Sequence, residues 1–280
     1  MRWTGLAVAL LAGAVVACAT NAPAPEQRTL RICADPNNLP FSNQAREGFE
    51  NRIAELLASE LGARLEYAWW PQRRGFVRNT LRVGACDIII GVPSSFGLAA
   101  TTRPYYRSTY VFVTRAGDPV PESFDDPLLE RVTIGAHLIG DDGANAPPVH
   151  ALAARGIIRN VRGYSIYGDY RTPNPPAALI DAVVRREVDM AVAWGPLAGY
   201  FSRHGQLDLT LTPVSPEIDV PFLPFVFDIS MGVARENVAL LEELNLFIAS
   251  HRPKLDAILA EYNVPRADRR RRAGSVAEHR

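Results

Sequence analysis

The chain alternates two kinds of hydrophobic pattern. Short runs in which all or every second residue is apolar predict β-strands, and longer segments with apolar residues every three to four positions predict helices. The predicted strands are 30–34, 64–70, 87–91, 110–114, 132–136, 160–164, 189–194 and 225–233. The predicted helices are 49–61, 75–83, 149–155, 177–186 and 237–262. We expect the last helix to break at Pro253, because proline cannot donate the helical hydrogen bond.

Strand and helix alternate along nearly the whole chain. This order predicts an α/β fold, in which mostly parallel sheets are flanked by helices. The series runs once up to residue 115 and starts again near residue 132, which predicts two lobes with a sheet in each. Ligands of open α/β sheets bind beyond the carboxyl ends of the strands, so we expect one cleft between the lobes.

The composition is ordinary for a globular protein, with 48% apolar and 21% charged residues among 280. The 30 basic residues balance the 30 acidic ones, which argues against a nucleic-acid partner because such proteins show a basic excess. The balance is uneven along the chain: residues 266–280 carry +4, residues 1–18 carry +1, and residues 19–265 carry −5. We predict a mildly acidic body and a basic disordered tail over 266–280.

The N-terminus has the layout of an export signal. Arg2 precedes an apolar run over 6–17 that is too short to span a bilayer comfortably. Two processing routes fit: cleavage at the Ala-Cys-Ala sequence at 17–19 releases a free protein, whereas a lipobox-like reading makes Cys18 the lipidated first residue. We predict a signal peptide and tether over 1–29, a periplasmic location, and membrane attachment only through a lipid anchor at Cys18.

Two further cysteines, Cys33 and Cys86, belong to the predicted folded body. In an oxidising compartment they can form a disulfide. Cys33 lies late in a predicted strand and Cys86 precedes another, so two buried thiols are an equal alternative. The spacing does not resemble a zinc site, since it contains no C-x-x-C pair.

No enzyme signature is present. The sequence has no G-x-S-x-G, G-x-x-x-x-G-K-[ST] or H-E-x-x-H motif, and its five histidines are isolated. We predict a non-enzymatic protein with no cofactor and no metal site. Asp35, Asn37 and Asn38 have oxygens that could ligate a hard cation, but such residues also form turns that satisfy their own backbone, and we favour the turn.

Three segments resemble the type 2 periplasmic solute-binding proteins. They are the strand-loop-Pro-Phe segment at 30–41, the sequence G-x-C-D-I-I-I-G at 84–91 and the sequence R-P-Y-Y at 103–106. The resemblance covers residues 30–263 and implies a two-lobed fold that closes on a ligand by hinge motion.

In that family the chain crosses twice between the lobes. The resemblance implies crossings at 110–115 and 225–233. Lobe one would then contain residues 30–115 and 225–265, and lobe two residues 116–224.

A narrower resemblance is carried by longer motifs. The segments 34–43, 48–62, 69–82 and 101–115 are similar to accessory proteins encoded beside quinoprotein methanol and alcohol dehydrogenases, the J proteins. This implies that the partner is a PQQ-dependent alcohol or methanol dehydrogenase, which the protein binds or helps to mature. The alternative is a solute-binding protein of an ABC transporter with a small ligand that is not an amino acid.

Amino-acid binders of this fold place an arginine nine residues before the proline of a Pro-Tyr motif, and an aspartate at the end of a lobe-two strand. Counting back from Pro104 gives Ser95, and the strand position holds Trp194. Both charge partners of an amino acid are therefore absent, and a zwitterion without them would lose several kcal/mol per charge on desolvation. We expect no free amino acid to bind in the usual pose.

The expected cleft residues lie at strand ends or in the loops that follow. They are Asp35, Asn37, Phe41, Trp69, Trp70, Arg74, Ser94, Ser95, Thr102, Arg103, Tyr105, Tyr106, Trp194 and Tyr200. The aromatic members either line a ligand or partner surface or pack the core, as large aromatic side chains commonly do.

The segment 219–227 has two prolines among apolar residues. If it is exposed, we expect it to be a docking segment. If it is buried, we expect it to be part of the core of lobe two.

Overall fold

The computed structural model describes residues 27–138, 145–165 and 170–267. Its strands are β1 (Thr29–Ala34), β2 (Asn37–Asn38), β3 (Ser42–Asn43), β4 (Arg64–Trp69), β5 (Ile88–Pro93), β6 (Ala100–Thr101), β7 (Tyr106–Arg115), β8 (Ile134–Leu138), β9 (Val161–Ser165), β10 (Met190–Trp194), β11 (Leu209–Pro213), β12 (Ile218–Asp219), β13 (Leu223–Pro224) and β14 (Val226–Val233). Its helices are α1 (Phe49–Glu60), α2 (Phe76–Asn79), α3 (Pro147–Ala154), α4 (Ala178–Val184), α5 (Gly195–His204), α6 (Val238–Ser250) and α7 (Arg252–Glu261).

The sheet topology confirms the predicted α/β class. Within the described ranges, one ten-stranded sheet has the order β4-β1-β5-β14-β7-β10-β8-β9, with β11 on β7 and β6 on β14. β1 is parallel to β4 and β5, and β8 is parallel to β10 and β9. The antiparallel pair β7–β14 joins these two parallel groups. These two strands contain the segments expected to cross between lobes; the lobe limits at 30–115 plus 225–265 and at 116–224 stay a prediction.

One predicted helix is shorter in the structure, and the break expected at Pro253 in another helix lies two residues earlier. The segment 75–83 forms only the short α2 and a 3₁₀ turn at Leu81–Val83. The helix ends because the backbone of Thr80 leaves the helical region and its hydroxyl donates to the carbonyl of Phe76. The segment 237–262 divides into α6 and α7 at His251, and Pro253 stands in the first turn of α7, where its missing N–H costs nothing.

Two further elements, α5 and β11, have no counterpart among the predictions. The helix α5 begins with Gly195-Pro196, a pair that is typical of turns. Pro196 is tolerated there because the first turn of a helix does not use its N–H groups within the helix.

The core forms where apolar helix faces cover the sheet. Phe49, Ile53 and Leu57 share one face of α1 and are completely buried. Each such side chain contributes about 1.5–3 kcal/mol to folding. The side chain of Asn51 caps this helix by accepting a hydrogen bond from the backbone N–H of Gly48 at 3.1 Å. The beginning of α1 is therefore fixed against the sheet.

The structure joins Cys33 and Cys86 in a disulfide, with 5.3 Å between their Cα atoms. The parallel register of β1 and β5 pairs Ile32 with Ile88 and so brings the two cysteines together. Both are buried in a small apolar cluster with Phe76. Of the two alternatives that the sequence left open, the structure contains the disulfide.

The predicted signal peptide, most of the tether over 1–29 and the lipidation at Cys18 lie outside the described residues. Residues 268–280 of the predicted tail lie outside them as well. The first two tail residues contact the fold: Arg266 forms an ion pair with Asp256 at 2.8 Å, and the N–H of Ala267 donates to the carbonyl of Arg107. In the described ranges, no helix is long and apolar enough to cross a membrane.

Candidate functional site

A cavity of about 620 Å³ lies where the two parallel groups of strands meet. β5, β7 and β14 form one part of its wall, and the ends of β8 and β10 form another. Its aromatic lining residues are Phe41, Phe76, Phe96, Tyr106, Tyr110, Trp194 and Phe227. Its polar lining residues are Asn38, Glu50, Gln72, Arg73, Arg74 and His137. The volume is within the range of sites for small organic ligands.

Three aromatic rings form a continuous part of this wall. Tyr110 and Trp194 have ring centroids 5.2 Å apart, and Trp194 and Phe227 have centroids 5.8 Å apart, both with edge-to-face geometry. Tyr110 and Phe227 complete the set at 6.4 Å. Because each ring touches the other two, the three support one another as a preformed apolar surface.

Glu50 is an acidic residue inside this apolar wall. It is only 9% exposed, and among the described residues no donor makes a hydrogen bond to its carboxyl group. Gly91 makes room for it, because a Cβ atom there would lie 2.1 Å from Oε1 of Glu50. Burial, with a smaller contribution from the charge of Asp35, raises the pKa of Glu50 to about 8. At neutral pH the group is therefore mostly protonated.

His137 faces the same cavity from β8 and is 6% exposed. The backbone of Pro176 lies near its ring, and Nε2 is buried without a hydrogen-bond partner among the described residues. In the tautomer that carries its proton on Nδ1, Nε2 can accept a hydrogen bond. Burial lowers the pKa of His137 to about 4, so the ring is neutral at physiological pH.

Asp35 anchors the loop at the edge of the cavity. Its carboxylate accepts hydrogen bonds from the backbone N–H of Asn37 at 2.8 Å and of Gln72 at 2.6 Å, and from the hydroxyl of Tyr170 at 3.0 Å. Burial raises the pKa of Asp35. These contacts correspond to the turn that we favoured over a cation site.

Within the described ranges, no group of three His, Cys, Asp or Glu residues is placed to hold a metal ion.

Four of the predicted cleft residues line the cavity, namely Phe41, Arg74, Tyr106 and Trp194. Asp35 and Asn37 lie beside it; the amide of Asn37 donates to the carbonyl of Thr172. Ser94 contacts the hydroxyl of Ser230, and Thr102 accepts from the N–H of Met231.

The other predicted cleft residues lie outside the lining. Trp69 stacks on Tyr67 with 4.6 Å between centroids, and Tyr200 stacks on Tyr262 at 5.7 Å. Tyr105 is completely buried. The remaining members are on the surface: Trp70, Ser95 and Arg103. The pair Trp69-Trp70 behaves as strand alternation requires, with one ring packed and the other exposed.

Sequence reasoning missed Glu50 and His137. Glu50 has a detectable signal, because it lies one residue after Phe49 and three before Ile53 on a helix face that is otherwise apolar. His137 is the penultimate residue of β8 and carries no such signal. Its surroundings include the backbone of Pro176, which is 39 residues away in sequence.

A second apolar feature is the hairpin of β12 and β13. Val220 and Phe222 at its tip are each 88% exposed, whereas Phe225 after it is completely buried. The segment 219–227 is therefore divided between an exposed tip and a buried end. Arg155 holds the hairpin through two hydrogen bonds to Asp219, at 2.7 and 3.0 Å.

Replacing Arg155 by methionine should lower the free energy of unfolding by about 2–3 kcal/mol, because the largely buried Asp219 loses its ion partner. Arg155 holds the pKa of Asp219 below its usual value. The stabilisation is therefore present above pH 4 and should be lost as the pH falls through the native pKa. Urea unfolding at pH 7 and pH 3 measures both effects.

The matched control is Arg185→Met, which breaks the ion pair of Arg185 with Glu187 on the exposed surface. We expect no measurable change from this control. Equal unfolding midpoints for the two variants would contradict the prediction that the ion pair of Arg155 with Asp219 stabilises the fold.

The sheet order and the cavity between its two halves define a two-lobed protein of the periplasmic binding protein fold. No family model matches the chain. Protein MoxJ of Methylorubrum extorquens is 32% identical over 260 residues, which cover 88% of this chain and 84% of the relative. The chain belongs to the MoxJ family.

Two crystal structures support this assignment. The periplasmic binding protein XoxJ from Methylobacterium extorquens AM1 superposes with a TM-score of 0.70 at 33% identity, over 86% of this chain and 100% of that one. MxaJ from Methlophaga aminisulfidivorans superposes with a TM-score of 0.72 at 26% identity, over 85% of this chain and 100% of that one. Both likenesses span the described fold.

Proposed function

We propose that the protein is a periplasmic, non-enzymatic accessory protein that binds a PQQ-dependent methanol or alcohol dehydrogenase or assists its maturation. Membership of the MoxJ family supports the proposal, together with the resemblance of segments 34–43, 48–62, 69–82 and 101–115 to proteins encoded beside such dehydrogenases. The periplasmic location follows from the relative described as a periplasmic binding protein.

The observation that carries a docking role is the exposed hairpin tip. Val220 and Phe222 present apolar side chains to solvent on a hairpin that Arg155 and Asp219 hold in place. Large aromatic side chains that are fixed before binding are strong interface anchors, because little conformational entropy remains to be lost. We assign this tip as a contact site for the dehydrogenase.

Replacing Phe222 by serine should weaken binding to the dehydrogenase at least tenfold, because the substitution removes an apolar anchor from the interface. The measurement is a titration of the purified dehydrogenase, with and without PQQ, against immobilised protein. The control is Leu246→Ser, which removes a 72% exposed apolar side chain from α6 and should leave the affinity unchanged.

Two results would count against this function. One is the absence of binding to either form of the dehydrogenase at tens of micromolar. The other is an equal loss of affinity in the Phe222 and Leu246 variants, which would remove the hairpin from the interface.

A second candidate function is that of a solute-binding protein for a small ligand that is not an amino acid. The observation that favours it is the apolar cavity, which is lined by the buried carboxyl group of Glu50 and by His137, whose Nε2 has no partner among the described residues. A screen by thermal shift separates the two functions, because a ligand at 100 times its Kd adds about 2.7 kcal/mol of stability.

A further inference from the structure

Two buried polar side chains line one apolar cavity from different elements of the fold. Glu50 comes from the first turn of α1, and His137 comes from β8. Buried polar groups in folded proteins almost always have hydrogen-bond partners. Among the described residues neither the carboxyl of Glu50 nor Nε2 of His137 has one. Once ionised, the carboxyl group of Glu50 can only accept hydrogen bonds, so a ligand that pairs with it must carry donors.

We propose that the cavity binds a protonated organic amine with an apolar body, with its ammonium group against Glu50 and its apolar body on the wall formed by Tyr110, Trp194 and Phe227. An ammonium group has up to three N–H donors and a positive charge, which match a carboxylate and a neutral imidazole acceptor. The three mutually packed rings offer an apolar surface to the body of the ligand.

The charges around Glu50 favour a cation over a neutral ligand. Asp35 adds negative potential at the carboxyl group. The hydroxyls of Tyr105 and Tyr106 are close enough to Glu50 for its charge to raise their pKa values further above the effect of burial. On the opposing wall His137 is neutral. The two cationic residues of the lining, Arg73 and Arg74, are exposed and not within hydrogen-bond distance of Glu50.

The proposed ligand makes binding dependent on protons. A protonated Glu50 must ionise to pair with an ammonium group, so its proton leaves for solvent as the amine binds. Because burial holds the pKa of Glu50 near 8, this release should approach one proton per ligand at pH 7. A neutral alcohol of the same shape would bind without this release.

Calorimetric titration of the full chain tests the proposal with 2-phenylethylamine as the probe. The comparison ligands are 2-phenylethanol, which is neutral, and L-phenylalanine, which adds a carboxylate. We expect the amine to bind at least tenfold more tightly than either comparison ligand. The measured binding heat should vary linearly with the ionisation enthalpy of the buffer, with the slope that corresponds to one proton released per bound amine. Equal affinity for the amine and the alcohol, or tighter binding of phenylalanine, would overturn the proposal.

Glu50→Gln keeps the shape of the side chain and should weaken amine binding at least tenfold while leaving 2-phenylethanol unchanged. The matched control is Glu66→Gln, an exposed residue of β4 that pairs with Arg64 and should change neither affinity. Amine binding that survives the Glu50 substitution would refute the site. If Glu50→Gln does not fold, the comparison of ligands on the unmodified protein decides the question. No dehydrogenase is present, so this test and the docking test fail independently.

Discussion

Replacing both Cys33 and Cys86 by alanine lowers the free energy of unfolding by about 4 kcal/mol. The disulfide joins residues 53 positions apart. In the chain-entropy description, a closed loop of this size restricts the unfolded chain by about 4 kcal/mol. Urea unfolding of the double variant and of the oxidised protein measures the difference.

The reductant provides the control for this result. Reduced wild-type protein should unfold at nearly the midpoint of the double variant, and the double variant should not respond to reductant. A loss below 1 kcal/mol would show that the loop is already restricted in the unfolded state. The same experiment reports whether the apolar cluster around the disulfide folds without the bond, since its other members, among them Phe76 and Leu81, remain in place.

Between pH 6.5 and pH 8 the protein should lose about 2 kcal/mol of stability, and Glu50→Gln should abolish this loss. Glu50 has an ordinary pKa of 4.5 and a native pKa of about 8. The native state therefore holds a proton that the unfolded state releases, and stability falls as the pH rises from 4.5 to 8. The slope is about 1.4 kcal/mol per pH unit.

His137 has the opposite effect at lower pH. Its ordinary pKa of 6.5 falls to about 4 in the native state. The unfolded chain takes up a proton first, so the contribution of the neutral ring is complete above pH 6.5 and is lost as the pH falls toward 4. From pH 4.5 to 6.5 the two slopes cancel, and above 6.5 only that of Glu50 remains. The free energy of unfolding should therefore stay constant from pH 4.5 to 6.5 and fall as the pH rises above 6.5.

Urea unfolding at half-unit steps from pH 5 to pH 8.5 measures this profile. Glu50→Gln should be flat above pH 6.5, and Glu66→Gln should descend as the unmodified protein does. A profile without a descent in the unmodified protein would mean that Glu50 is ionised in the native state and has found a partner.

Much of the fold was predictable from local pattern. The apolar run at 87–91 and the helical face of Phe49, Ile53 and Leu57 identify β5 and α1 within a residue or two. A side chain repeats its direction every 2 residues in a strand and every 3.6 in a helix, so the pattern reports the element directly. The segment 75–83 did not follow its pattern, because the hydroxyl of Thr80 competes for the helical carbonyl of Phe76.

The site was less predictable than the fold. Phe41, Arg74, Tyr106 and Trp194 were expected in the cleft and line the cavity. Trp69 and Tyr200 are aromatic as well, but Trp69 stacks on Tyr67 and Tyr200 stacks on Tyr262. Whether an aromatic ring faces a cavity or another ring depends on elements that are distant in sequence.

The sequence by itself determined the class of the fold and the order of most of its strands and helices. These properties depend on residue type and on spacing within one element. Only the tertiary structure decided that Cys33 joins Cys86, that Phe222 is exposed while Phe225 is buried, and that Glu50 and His137 line the same cavity. Each of these depends on the packing of segments far apart in the chain, because burial and pairing are properties of the surroundings of a side chain.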